Sequence, residues 1–190
     1  ENYHVYAVDP DSESETDLGV PPAEDLTPYE GVRARIFAVP EATPGKIYVG
    51  LNDRNPRNHD LYRIDLETGE RELIFKNTEG YGGFTFGHEG RLRLATKQTG
   101  DGGTAIQRVD IGEQDTTLTT IYSCSVAESC GAYQFHKDNE RVYLVTNEGE
   151  DADLQRLMLL NVQTKETTLV EKDPEGEVDF GGAVFNDKTE

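Results

Sequence analysis

The chain has 190 residues, 35% of them hydrophobic, and its 37 acidic and 18 basic residues give a formal charge of −19. That length and apolar content allow a packed core, and no apolar run approaches the roughly 20 residues needed to cross a bilayer, so no membrane contact is expected. A negative field of this size repels phosphate backbones and argues against nucleic-acid binding, and its even spread along the chain reads as a solvated surface.

The N-terminal residues Glu1-Asn2-Tyr3-His4 do not resemble a signal peptide. A soluble segment is expected, in the cytoplasm, the periplasm or outside the cell. Tyr3 to Val8, followed by Asp9, reads as a strand entering a turn, and Asp25-Leu26-Thr27 reads as the strand that closes the same sheet. Between them Asp11 to Glu24 forms an acidic, proline-bearing insert, expected as a long exposed loop.

A repeat begins at Ala34. Ala34-Arg35-Ile36-Phe37-Ala38 opens a unit, Lys46 to Leu51 alternates like a half-buried strand, Tyr62 to Leu66 runs into a turn at Thr68-Gly69, and Leu73-Ile74 closes it. Gly83 to Phe86, Arg91 to Thr96, Gln107 to Ile111 and Leu118-Thr119 repeat the order. So do Ala132 to Phe135, Arg141 to Thr146, Met158 to Val162 and Leu169-Val170. Asp65 and Asp110 are 45 residues apart, and Asp110 and Asn161 are 51 apart. Periods in this range built from strands and turns are the mark of propeller blades. Gly82, Gly83 and Gly131, just before the openers, are expected to permit a tight approach to the propeller axis. Gly181 to Phe185 reads as one further opener.

The expected fold is therefore all-β with little helix. It is a partial β-propeller of about three complete four-stranded antiparallel blades (32–76, 82–122 and 131–172), with incomplete blades at 1–28 and 178–190. An open arc leaves two blade faces without neighbours, which predicts a homodimer in which two arcs close on each other.

Leu51 to Tyr62 is the most distinctive stretch, a long hairpin in which Asn52, Asp53, Arg54 and Asp60 combine turn residues with an ion pair to either aspartate. Its first reading is a loop that holds the hairpin, and its second is direct ligand binding. Cys124 and Cys130 bracket five residues. They close as a disulfide across a turn in an exported chain, or stay as free thiols in a reducing cytoplasm. Glu148, Glu150, Asp151 and Asp153 gather four carboxylates in one loop and offer oxygen ligands for calcium, but without EF-hand spacing, so the first reading is a solvated loop. No metal or other cofactor is expected.

The order Leu26-Thr27-Pro28, Gly31-Val32-Arg33-Ala34, Leu51-Asn52-Asp53-Arg54, His59-Asp60-Leu61-Tyr62 and Asp65 to Glu70 resembles the N-terminal propeller of the prolyl oligopeptidase family, in its dipeptidyl and acylaminoacyl peptidase branch. Asn77, Gly80 to Phe84 and His88 to Arg93 continue the pattern. The resemblance implies a propeller stacked on an α/β-hydrolase domain with a Ser-Asp-His triad, where the propeller admits only short peptides. That chemistry needs a serine on a strand-to-helix elbow, in a G-x-S-x-G setting. Ser12, Ser14, Ser123, Ser125 and Ser129 have no such context, and His4, His59, His88 and His136 are scattered over different repeats as surface or turn residues. No catalytic residue carries over, no carboxylate aligns with those that grip a peptide's amino terminus in some family members, and substrate-binding residues stay unassigned. The rival reading is a stand-alone propeller that senses or binds another protein.

Overall fold

A computed structural model describes residues 2–14, 19–113, 115–149 and 153–185. Fourteen strands and no helix occur among them. Strands β1 (Tyr6–Val8) and β2 (Ala23–Asp25) form a two-stranded antiparallel sheet. Three four-stranded antiparallel sheets follow, each in chain order. The first holds β3 (Ala34–Ala38), β4 (Lys46–Asn55), β5 (Asn58–Asp65) and β6 (Arg71–Phe75). The second holds β7 (Gly83–Phe86), β8 (Leu92–Gln98), β9 (Thr104–Ile111) and β10 (Thr116–Cys124). The third holds β11 (Cys130–Phe135), β12 (Arg141–Thr146), β13 (Arg156–Asn161) and β14 (Thr167–Glu171). This is the all-β architecture of a partial propeller.

The chain divides into two compact units, Glu1–Gly80 and Tyr81–Glu190. In the first, Val5, Leu26 and Val32 pack on Ile47, Val49, Leu51 and Ile64 of the β3–β6 sheet. In the second, Leu94, Ile106 and Ile121 meet Phe135, Val142, Leu144 and Leu160, so the two sheets stack face to face.

The second strand of the third sheet departs from the expected half-buried pattern. Val142 to Thr146 are buried without a break. The neighbouring sheet covers one face, and Phe180 and Phe185 cover Tyr143, Val145 and Leu157 on the other. A strand covered twice has no solvent side, so its sequence runs apolar instead of alternating.

Gly181 to Phe185, expected as an opener, is not a strand here, because no ladder partner pairs with it among the described residues. The Phe185 ring nevertheless lies 4.5 Å from that of Tyr143. The insert also ends earlier than expected, because Ala23 and Glu24 already belong to β2. At Gly82 and Gly131 an added Cβ would meet no atom of the described residues within 4 Å. Gly83 has ordinary contact, 3.5 Å to Thr96. Close approaches occur instead at Gly50, where a Cβ would run into the Phe37 ring, and at Gly103, where it would run into the Cys124 carbonyl.

One repeat feature emerges only in three dimensions. Register slips by one residue along each fourth strand, leaving Ile74, Ile121 and Val170 unpaired at equivalent places. Such bulges twist an exposed edge away from further pairing.

Candidate functional site

The Asn52 to Asp60 hairpin is built around a buried carboxylate. Arg54 Nε and Nη2 donate to the two oxygens of Asp60 at 2.6 and 2.7 Å, and the Asn77 amide donates to the same carboxylate at 2.7 Å. Arg54 Nη2 also reaches the Asn77 carbonyl at 2.8 Å. Asn77, fully buried, donates through Nδ2 to the His59 carbonyl and accepts from the Gly80 amide. The fork geometry suits a carboxylate, and it raises the Arg54 pKa. Asp53, the alternative partner, instead pairs with Arg71 at 2.9 Å, and that guanidinium lies between the rings of Tyr29 and Tyr62. Asn52 accepts the Arg33 amide and donates to the Pro56 carbonyl. These polar groups spend their bonding capacity on one another.

Asp65 and Gly69 form the turn at the opposite end of the sheet. Asp65 Oδ1 accepts the amides of Glu67 and Thr68, and its Oδ2 takes Lys46 Nζ at 2.8 Å. Lys46 first, and then those amides, hold the Asp65 carboxyl down at about 2. Gly69 has a φ of 69°, the left-handed conformation that ends such a turn.

In the second unit, antiparallel order places the connections 99–103 and 125–129 and the described residues 147–149 and 153–155 at one end of the two sheets. There Cys124 and Cys130 are joined in a disulfide with Cα atoms 6.1 Å apart. Beside it an open hollow of roughly 340 Å³ is lined by Asp101, Glu128 and Glu148. Glu148 accepts from the Tyr122 hydroxyl at 2.8 Å, and burial followed by this contact pushes the phenol up to about 12. Asp153 lies in a different groove, with Gln155, Arg156 and Lys172. Glu150 and Asp151, the other two of the four candidate calcium ligands, lie outside the described residues. Among the described residues no three His, Cys, Asp or Glu side chains gather as a metal site.

Three of the four histidines each have a polar partner of their own. His4 Nδ1 is 2.6 Å from Asp25, His88 Nε2 donates to the Phe135 carbonyl, and His136 lies 3.0 Å from Asp138. His59, expected as a surface or turn residue, is in β5, and its Nε2 is buried. Ser125 and Ser129 sit in the β10–β11 connection, where Ser129 Oγ accepts from Gln155 Nε2 at 2.7 Å. Ser12 and Ser14 follow β1, and Ser123 is near the end of β10. With no helix among the described residues, none of these serines stands on a strand-to-helix elbow. Sequence reasoning missed the central role of Asn77. Its local signal is an asparagine just past a closing strand, followed by a glycine three residues on.

No protein-family model matches the chain. Over all 190 residues it is 29% identical to dipeptidyl aminopeptidase BIII of Pseudoxanthomonas mexicana. The chain spans 26% of that relative's length. It is thus similar, end to end, to a segment of a larger peptidase.

Proposed function

We propose that this chain is the non-catalytic propeller segment of a prolyl oligopeptidase-like serine peptidase, where it covers the active site and restricts entry to short peptides. The observation that carries this reading is the unbroken similarity of all 190 residues to about a quarter of a dipeptidyl aminopeptidase. Successive four-stranded sheets and the ordered motif series from Leu26 to Arg93 support it. In this reading a hydrolase domain of the same parent protein supplies the nucleophile, and this segment supplies the wall past which a peptide must pass. The open blade faces are closed by further blades of that protein. Pairing of two arcs is the alternative closure, and a dimer by light scattering on the parent protein would distinguish it.

The test has two arms. The reading frame beyond Glu190 is expected to encode a G-x-S-x-G elbow, and its absence would overturn the peptidase assignment in favour of a stand-alone binding module. Purified parent protein is expected to release chromophore from dipeptidyl substrates, while the 190-residue chain releases none. Turnover by the chain alone would overturn the non-catalytic assignment.

A further inference from the structure

In a chain with twice as many acids as bases, exposed arginines are expected to be drawn into ion pairs. Arg54, Arg63, Arg71, Arg108 and Arg141 each hold a carboxylate. Arg33 and Arg35 are both exposed, and neither has an ion pair among the described residues. Arg33 immediately precedes β3, and Arg35 is the second residue of that strand. The Arg33 amide is pinned to Asn52 Oδ1 at 2.6 Å, which ties its backbone to β4.

Each guanidinium lies against an aromatic ring, Arg33 at 5.7 Å from the Tyr3 centroid and Arg35 at 5.0 Å from that of Phe37. Stacking engages the flat face of a guanidinium and leaves its in-plane N–H donors free for a planar acceptor. Gly50, opposite Arg35, makes room for this arrangement. A Cβ there would enter the Phe37 ring and reach within 3.0 Å of His59 Cβ. His59 Nε2 is buried and has no hydrogen-bond partner among the described residues. Burial, followed by the charges of Arg33 and Arg35, lowers the pKa of this imidazole. Two guanidinium groups beside aromatic rings thus lie near enough to a buried imidazole, whose Nε2 has no partner among the described residues, to act on its charge.

We propose that Arg33 and Arg35, together with His59, form a binding site for a single carboxylate carried on a small molecule or short peptide. Two fork-shaped donors match the two oxygens of a carboxylate. The net charge of −19 selects against dianions and polyanions, which the protein's field repels more strongly than a monoanion. The site rests on the charges, the stacking and the orphan nitrogen, and it stands whether or not the chain belongs to a peptidase. The carboxylate has two sources, a peptide's C-terminus or an acidic side chain.

Isothermal titration of the full-length protein with acetyl-alanyl-alanine, its C-terminal amide, acetyl-glutamic acid α-amide and inorganic phosphate tests the assignment. Binding of either carboxylate without the amide supports it and names the source, and binding of both shows that the site reads the carboxylate alone. The double variant Arg33→Gln with Arg35→Gln is expected to weaken binding at least about tenfold. Arg35→Lys, which keeps the charge but not the fork, is expected to cost several-fold, and His59→Gln less. Unfolding midpoints of the variants are measured alongside. If the double variant does not fold, the comparison rests on Arg33→Gln and Arg35→Lys. The proposal is overturned if no carboxylate binds, if the amide or phosphate binds as tightly, or if the folded arginine variants bind unchanged.

Discussion

Arg54 and Asp60 meet through two parallel hydrogen bonds of 2.6 and 2.7 Å, and the aspartate side chain is 2% exposed while the arginine side chain is 36% exposed. The asymmetry decides the consequence of breaking the pair. Asp60 is desolvated and satisfied by two donors from Arg54 and one from the Asn77 amide. Removing Arg54 strands a buried charge, whereas removing Asp60 leaves an arginine that water can reach.

Asp60→Ala is expected to lower stability by about 2 kcal/mol, because it orphans the Asn77 amide and opens a void beneath the hairpin. Urea unfolding followed by circular dichroism reads this directly. Asp60→Asn keeps the shape but loses the charge and part of the fork, and should fall between the wild type and alanine. If both variants unfold at the wild-type midpoint, the node does not hold the hairpin.

The two best-matched repeats differ in a way that makes a paired prediction. Asn161 Oδ1 accepts the amides of Gln163 and Thr164, as Asp65 accepts those of Glu67 and Thr68. Where the first turn ends on Gly69 at φ 69°, the second ends on Lys165 at φ 65°. An L-residue with a Cβ costs roughly 1 kcal/mol in this conformation. Gly69→Ala is therefore expected to destabilise by about 1 kcal/mol, and Lys165→Gly to stabilise by about 0.5 kcal/mol once glycine's added chain entropy is counted. Thermal midpoints moving in the same direction for both would refute the shared geometry.

The repeat was legible in the sequence because each blade strand carries its own apolar pattern and each turn its own Asp-Gly or Asn signal. β3, β7 and β12 begin and end where the sequence pattern places them. The fourth-strand bulges at Ile74, Ile121 and Val170 left no trace, since a skipped β-branched residue reads like any other strand residue. The choice of Asp60 over Asp53 by Arg54 was equally hidden. Both aspartates lie close in sequence, and only the Asn77 amide, contributed from 17 residues beyond Asp60, selects one. The grouping of Arg33 and Arg35 with His59 needed β3, β4 and β5 to be aligned, which no local motif encodes.

The disulfide between Cys124 and Cys130 closes the short connection from the last strand of one sheet to the first strand of the next. Loop-closure entropy for so small a ring corresponds to about 2 kcal/mol. Reduction of the folded protein should lower the urea midpoint accordingly, and Cys124→Ser with Cys130→Ser should match the reduced protein. Thiol titration in denaturant is expected to find no free thiol before reduction and two after it. Two free thiols in protein made in an oxidising compartment would contradict the bond.

Asp65 carries a pH signature that its counterpart Asn161 lacks. Its carboxyl titrates at about 2 in the folded chain because of Lys46 and the turn amides, against an ordinary value of 3.8. A carboxyl held down by folding contributes stability that is fully present above its unfolded value. That contribution is lost as pH falls from about 4 through about 2. Asp65→Asn preserves an acceptor for the turn amides, as Asn161 does, but has no proton to gain. The variant's thermal midpoint should therefore fall less steeply than that of the wild type between those pH values, while the two curves run parallel above pH 5. Equal slopes in the acid range would show that Lys46 and the turn do not hold the carboxyl down. A carbon-13 titration of the Asp65 carboxyl gives the same answer without reference to stability.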